Sequence, residues 1–197
     1  MSHRKHFDAV APRWESMVVG APTIRLQEIV STLAIGSGDV ILDAGCGTGV
    51  LFPMLLAKAK DPTHILAMDV SGEMLLRAQA KAFHIPLIQA DGECLPLKPG
   101  LFDWIVANSV FPHFSNKQRA LLEFHRLLRP GGHVAIFHFD SRDTVNERHL
   151  RIGGAVGGDS LPPDEELCEL LAEAGFVDVT TQDLADRYVL TAVRDDR

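Results

Sequence analysis

Apolar residues recur along this chain in two alternating patterns. Short, nearly continuous runs occur at Val40-Ile41-Leu42, Ile65-Leu66-Ala67-Met68, Pro86-Leu87-Ile88-Gln89-Ala90, Phe102-Asp103-Trp104-Ile105-Val106-Ala107 and from His133 to about Phe139. Runs of this kind belong to strands buried on both faces. Between them the spacing becomes helical. Ile24, Leu26, Ile29, Val30 and Leu33 form one stripe, stopped by Gly36, and Leu51, Met54, Leu55 and Leu56 form a second. Met74, Leu75, Ala78 and Ala82 follow, then a helix over 116–128, then Leu167, Leu170, Leu171 and Ala174 with Gly175 as the stop. Strands alternating with helices over such lengths predict an α/β protein with a parallel sheet covered on both faces, whose ligands bind at the carboxyl ends of the strands. Two further runs, Phe176–Thr181 and Tyr188–Val193, are separated by a short turn and predict an antiparallel hairpin at the end of the chain.

The punctuation sharpens this outline. Val40-Ile41-Leu42 leads into Asp43-Ala44-Gly45-Cys46-Gly47-Thr48-Gly49, a glycine-rich turn that opens a helix near Val50. Without Cβ atoms, Gly45, Gly47 and Gly49 can adopt positive φ and let a ligand approach the backbone, with the N–H groups of the next helix facing it. The spacing G-x-G-x-G differs from the G-x-G-x-x-G of dinucleotide folds. Ser71 is placed to cap the following helix, with Glu73 in its first turn. Pro130-Gly131-Gly132 ends the 116–128 helix in a tight turn. The alternation breaks at Asp140. Residues 140–162 are rich in charge and then in glycine, the signature of a mobile excursion rather than core. Residues 1–6 are polar and basic and expected to fray, whereas Phe7 and Trp14 pin the segment behind them, either as plain surface packing or as a cover over the site.

With 197 residues and 46% hydrophobic content, the chain is expected to form one domain, 1–197, with residues 1–36 as an N-terminal helical cap and 140–162 as an insertion beside the site. A net charge of −7 argues against a nucleic-acid surface, which needs a concentrated basic face. Cys46, Cys94 and Cys168 make neither a disulfide framework nor a paired zinc motif. No apolar run approaches the roughly 18 residues of a membrane span, and no signal-like segment is visible, so a cytoplasmic monomer or homodimer is expected.

Four stretches carry a resemblance: Leu42-Asp43-Ala44-Gly45-Cys46-Gly47-Thr48-Gly49, Ala67-Met68-Asp69-Val70-Ser71, Gln89-Ala90-Asp91-Gly92-Glu93-Cys94-Leu95-Pro96 and Leu127-Leu128-Arg129-Pro130-Gly131-Gly132. In order and spacing they resemble the class I S-adenosylmethionine-dependent methyltransferases, particularly the small-molecule branch that includes ubiquinone- and menaquinone-biosynthesis enzymes. The likeness is strong over residues 38–139 and loose at both ends. It implies a Rossmann-like, seven-stranded, mostly parallel sheet closed by the C-terminal hairpin, and S-adenosyl-L-methionine as cofactor.

Asp69 ends the second strand, where a carboxylate can accept two hydrogen bonds from a ribose diol; it also suits the N-terminus of the helix at Ser71. The same spacing would serve a nicotinamide cofactor, so Asp69 alone does not separate the two. The resemblance gives Asp91 the adenine amino group and the Gly92 N–H the ring, although Asp before Gly is also an ordinary turn pair. It places Gly45 and Gly47 beside the methionine moiety, and Val70, Met74 and Glu93 around the same ligand. Asp43 holds the turn or orients the cofactor's amine through a water. Cys46 sits where a helix N-terminus can lower a thiol pKa, but in related sequences the position is often small or cysteine without a redox task. Asn108 ends the fourth strand, where the sheet order reverses, and stands beside the transferable methyl group.

Beyond Asn108, Phe111 and Phe114 could wall a sulfonium or belong to the core, and His113 is a candidate base or a packing residue. His138-Phe139-Asp140-Ser141-Arg142, Asn146 and His149 leave the fifth strand over the site. They fit a solvated loop, an acceptor pocket using His138, Arg142 and His149, or a metal site made by His138, Asp140 and His149. No motif supports the metal, so none is expected. Arg142, Arg148 and Arg151 favour a small, anionic acceptor. A nicotinamide oxidoreductase and a non-catalytic cofactor-binding protein remain the rival readings.

Overall fold

The computed structural model describes residues 2–17 and 20–196. Its helices are α1 (His3–Met17), α2 (Ala21–Thr32), α3 (Phe52–Ala59), α4 (Gly72–Ala80), α5 (Lys117–Leu127), α6 (Arg142–Ile152) and α7 (Asp164–Glu173). The strands are β1 (Ile41–Ala44), β2 (Ile65–Asp69), β3 (Leu87–Gln89), β4 (Phe102–Asn108), β5 (Leu128–His138), β6 (Phe176–Leu184) and β7 (Arg187–Arg194). They form one seven-stranded sheet in the order β3-β2-β1-β4-β5-β7-β6. The first five are parallel, and β7 enters between β5 and β6 antiparallel to both. This is the Rossmann-like arrangement with its closing hairpin.

The order reverses between β1 and β4, which pair in parallel through Ile41 with Trp104 and Asp43 with Val106. At such a switch point the two crossovers leave on opposite faces and a crevice opens above the strand tips. The strands are aliphatic on both sides because both are covered. One core joins Leu42, Ile105, Leu121, Phe124, Ile136 and Leu190 under α5 and α7. The other joins Leu26, Ile29, Ile41, Leu55, Ile65 and Val106 under α2 and α3. Phe111, one of the two residues weighed as a sulfonium wall, is fully buried in the first core.

Local chemistry explains most boundaries. Ser71 caps α4, its Oγ accepting from the Met74 N–H at 3.2 Å. Asn116 caps α5 by accepting from the Arg119 N–H at 2.9 Å. Before the regular part of β5, residues 129–132 bulge out at positive-φ Gly131, so that Phe102 pairs with Leu128 and Trp104 with His133.

Two expectations need correction. Residues 140–162 are not external to the core: they form α6, and Val145, Val156 and Leu161 are buried. The pattern was hidden because only a few apolar residues anchor the segment, while polar side chains satisfy its backbone. Asn146 both donates to the Leu161 carbonyl and accepts from the Leu161 N–H. Likewise α1 begins at His3, so the basic N-terminal residues from His3 onward are helical rather than frayed; that expectation for Met1 lies outside the described residues. Asp8 accepts from Ser71 Oγ at 2.6 Å and Glu15 pairs with Lys81 at 2.9 Å, fastening α1 along α4.

Candidate active site

Above the tips of β1, β2, β3 and β4, and beneath α1, lies a cleft enclosing about 980 Å³, part of it open to solvent. Its floor and one end come from Gly45, Cys46, Gly47, Asp69, Val70, Met74, Asp91, Gly92 and Glu93, and its other end from His3, Phe7, Trp14, Asn108, His113 and Phe139.

The glycine-rich turn is stitched to its neighbour strand. The Gly45 and Cys46 N–H groups both donate to the Met68 carbonyl at 2.9 Å, Gly47 N–H donates to Asp69 Oδ2 at 2.8 Å, and Gly49 N–H donates to the Cys46 carbonyl at 2.9 Å. These amides are therefore engaged within the protein, and α3 starts only at Phe52. The turn itself offers the cleft no free amide at Gly45, Cys46 or Gly47, and its residues there are Gly45, Cys46, Gly47 and Val50. Gly45, Gly47 and Gly49 all have positive φ. A Cβ on Gly45 would come within 2.3 Å of Val110, and one on Gly49 within 2.5 Å of the Phe52 ring. Gly49 accordingly makes room for core packing and does not line the cleft, whereas Gly47 opens into it, facing the Trp14 indole at 3.5 Å from its hypothetical Cβ.

Asp69 joins both readings of its position. Its Oδ2 holds Gly47 and its Oδ1 accepts from the Ser71 N–H at 2.8 Å, yet a carboxylate has lone pairs to spare for a diol, and Asp69 still lines the cleft. Burial raises its pKa; the amide donors at Ser71 and Gly47 oppose that rise. Asp43 lies behind the turn, 1% exposed, with no partner for either oxygen among the described residues. Desolvation, with the Asp69 charge adding to it, pushes its pKa up to about 8. Burial likewise raises the Cys46 thiol well above its usual value, so no thiolate forms at this turn.

Asp91 is exposed, and its Oδ1 accepts from the Glu93 N–H at 3.0 Å in an Asx turn that leaves the second oxygen available. A Cβ on Gly92 would meet the Phe114 ring at 2.6 Å, so the missing side chain lets Phe114 into the cleft wall. The Glu93 carboxylate turns away to accept from the Asn116 N–H at 2.9 Å. Asn108 lines the cleft at the end of β4, next to Ser109, whose φ of 55° is an uncommon value for serine.

The polar residues after β5 are placed differently from the acceptor pocket weighed above. Asp140 is taken by Arg25 and Arg148, and Arg142 by Asp164 at 2.9 Å and Asp183 at 3.5 Å. His138 is buried, with desolvation first and the neighbouring histidines second driving its pKa down to about 3. His149 is buried and its Nδ1 lies 3.1 Å from the Asp159 carbonyl. From 138–149 only Phe139 lines the cleft. Among the described residues, His138, Asp140 and His149 do not converge as a ligand set; His3, His113 and Asp159 do. His113 lines the cleft with Nδ1 at 2.6 Å from Asp159 Oδ2, and His3 Nε2 reaches the same carboxylate at 2.9 Å. His3 and Asp159 had no sequence signal: they are 156 residues apart, and nothing in spacing joins them.

A Rossmann-like sheet whose switch-point cleft presents glycines, two acidic strand tips and a buried carboxylate without a partner among the described residues is of the class that binds a ligand at the strand tips. Comparison with known proteins narrows this. A methyltransferase-domain family model matches residues 42–136. The chain is 28% identical over 215 residues to a ubiquinone/menaquinone biosynthesis C-methyltransferase of Syntrophotalea carbinolica, covering 94% of this chain and 90% of that one. It is also 28% identical over 208 residues to an S-adenosyl-L-methionine-dependent Diels-Alderase of Talaromyces variabilis, covering 96% of this chain and 71% of the relative. In fold it is similar to the crystal structure of a SAM-dependent methyltransferase from Thermotoga maritima, with TM-score 0.77 at 18% identity, covering 98% of this chain and 99% of that one. The chain belongs to the class I S-adenosylmethionine-dependent methyltransferases, and S-adenosyl-L-methionine is its cofactor.

Proposed function

We propose that this enzyme methylates a small, uncharged and largely apolar acceptor held between α1 and the tip of β4. The reading rests on one observation: the cleft is continuous from Asp69 and Asp91 to Phe7, Trp14 and Phe139, and among the described residues no Lys or Arg lines it. An anionic acceptor would need such a cation, and Arg142 and Arg148 are already paired elsewhere.

Within this reading Asp69 accepts the ribose hydroxyls, the free oxygen of Asp91 takes the adenine amino group, and the Gly45–Gly47 surface admits the methionine chain. Asp43, with no partner for either oxygen among the described residues and a pKa raised to about 8, is largely protonated near neutral pH in the cofactor-free protein, and a cationic methionine chain in front of it would favour its ionised form. The cofactor supplies a methyl group on a sulfonium, already an excellent leaving group. The protein's contribution is then alignment and exclusion of water: Trp14 and Phe7 cover the cleft, while Asn108 and His113 are the polar groups that orient the acceptor.

The test is a panel of neutral phenols and quinols, each paired with its carboxylated analogue, incubated with enzyme and radiolabelled S-adenosylmethionine. Neutral members should be methylated at least tenfold faster than their carboxylated partners. Preference for the carboxylated series would overturn the assignment.

A further inference from the structure

Three segments distant in sequence meet at the acceptor end of the cleft. His3 comes from α1, His113 from the turn after β4, and Asp159 from the connection between α6 and α7. One ligand atom from each, a ring nitrogen of either histidine and a carboxylate oxygen of Asp159, lies within 4.8 Å of the other two, and all three residues are half-buried. The carboxylate is gripped from two sides: His3 Nε2 is 2.9 and 3.1 Å from its two oxygens, and His113 Nδ1 is 2.6 Å from Oδ2.

More imidazoles surround this group. The His149 ring is centred 4.8 Å from that of His113, and its Nδ1 sits 3.1 Å from the Asp159 carbonyl, which fixes the proton there and leaves Nε2 with a lone pair. His138, whose Nε2 is buried with no partner among the described residues, is a near neighbour of both His113 and His149. Surface histidines scatter; here several crowd one carboxylate at a cavity wall.

We infer that His3, His113 and Asp159 form a binding site for a divalent first-row transition metal such as zinc. Two imidazoles and a carboxylate are a recurrent ligand set for these ions, and three protein ligands leave a coordination position open. Ligand atoms about 2.1 Å from a tetrahedral ion lie roughly 3.4 Å apart, so the His–Asp contacts of 2.6 and 2.9 Å need open by less than about 1 Å, and the two ring nitrogens, within 4.8 Å of each other, need close by no more than about 1.4 Å. The hydrogens now between the ring nitrogens and the carboxylate would move to the opposite ring nitrogens or to water. Because His3 and His113 also line the cleft, the open position faces the space where the acceptor lies in the function proposed above, and a hydroxyl or carbonyl oxygen is the group it would take. The site itself does not depend on that reading. Its second consequence is mechanical: the ion would tie α1 to the loop after α6 and hold the cleft's cover in place.

The experiment is calorimetric titration of the full, chelator-treated chain with zinc ion alone, repeated with cobalt(II) while its visible absorption is followed. One equivalent should bind with a Kd of micromolar or below, and cobalt should give the strong bands of a low-coordinate site. Asp159→Asn and His113→Gln should each weaken binding at least tenfold, while the exposed, remote His84→Asn should stay within twofold. S-adenosylhomocysteine affinity within threefold of the parent would show that the variants are folded, and His3→Ala, in the first turn of α1, should likewise weaken metal binding at least tenfold. Absence of stoichiometric binding would overturn the site. So would binding that survives Asp159→Asn but is lost in His3→Ala, since the metal would then sit on the N-terminal peptide alone. None of these readouts involves methyl transfer, so a wrong acceptor assignment would leave them unchanged.

Discussion

The end of the cleft proposed to hold the cofactor is made by residues within 43–50, 68–74 and 90–93, each within a few positions of a strand tip. The other end joins His3, Phe7 and Trp14 of α1 to His113, Phe139 and the loop carrying Asp159. The first end is held by its own amides: Gly45 and Cys46 donate to the Met68 carbonyl and Gly47 to the Asp69 carboxylate at the tip of β2, so its shape follows from the register of β1 beside β2. The second end is held by side chains from distant parts of the chain, and its ordering depends on α1 staying seated on α4. Backbone-built sites are rigid before ligand arrives, whereas side-chain-built covers close as part of binding.

The contrast is broken most severely at Asp69. Asp69→Ala removes the acceptor for the Gly47 and Ser71 amides as well as the proposed ribose contact. Calorimetry with S-adenosylhomocysteine should show affinity falling about ten- to a hundredfold, the loss of one or two charge-assisted hydrogen bonds. Unchanged affinity would reduce Asp69 to a structural role at the turn.

Asp43 sharpens the comparison through pH. Its folded pKa of about 8 lies above the 3.8 of the unfolded chain, so between those values the folded protein holds the proton more tightly. Stability of the cofactor-free enzyme should therefore fall as pH rises from about 4 to about 8, by an amount on the order of a few kcal/mol. Urea unfolding of Asp43→Asn, which cannot ionise, should give a flatter profile over that window. Parallel profiles for the two proteins would remove Asp43 as the source.

The smallest effect is expected at Arg142. Its partners Asp164 and Asp183 belong to α7 and β6, not to the cleft, and the pair is partly exposed. Arg142→Ala should cost about 1 kcal/mol or less of stability and leave turnover within about threefold. A tenfold loss of turnover would restore this arginine to acceptor recognition.

The same contrast explains what could be read from the chain alone. The succession of strands and helices along the chain and the terminal hairpin were legible because buried strands and amphipathic helices impose distinct periods, whereas the order of strands within the sheet, which those periods do not encode, was expected from the family resemblance. The acidic strand tips were legible for the same reason: Asp69 and Asp91 follow immediately on apolar runs. What the turn does with its amides was not, because hydrogen bonding to Met68 depends on how β2 aligns, which spacing does not encode. Nor was the pairing of His3 with Asp159, since contacts between a chain's first helix and a late loop leave no periodic trace. The 138–149 stretch misled because polar residues gathered in sequence need not face one point; Arg142, Arg148 and Asn146 each satisfy a different neighbour.

The central claim is that one cleft has a preformed cofactor floor at the β1, β2 and β3 tips and a cover made by α1. Amide hydrogen exchange, followed by mass spectrometry with and without saturating S-adenosylhomocysteine, tests both parts together. New protection should be concentrated in residues 43–50, 69–74 and 91–93 and in the α1 peptide 3–17, with 142–152 unchanged. Protection confined to 142–152, or none at the glycine-rich turn and α1, would contradict the account.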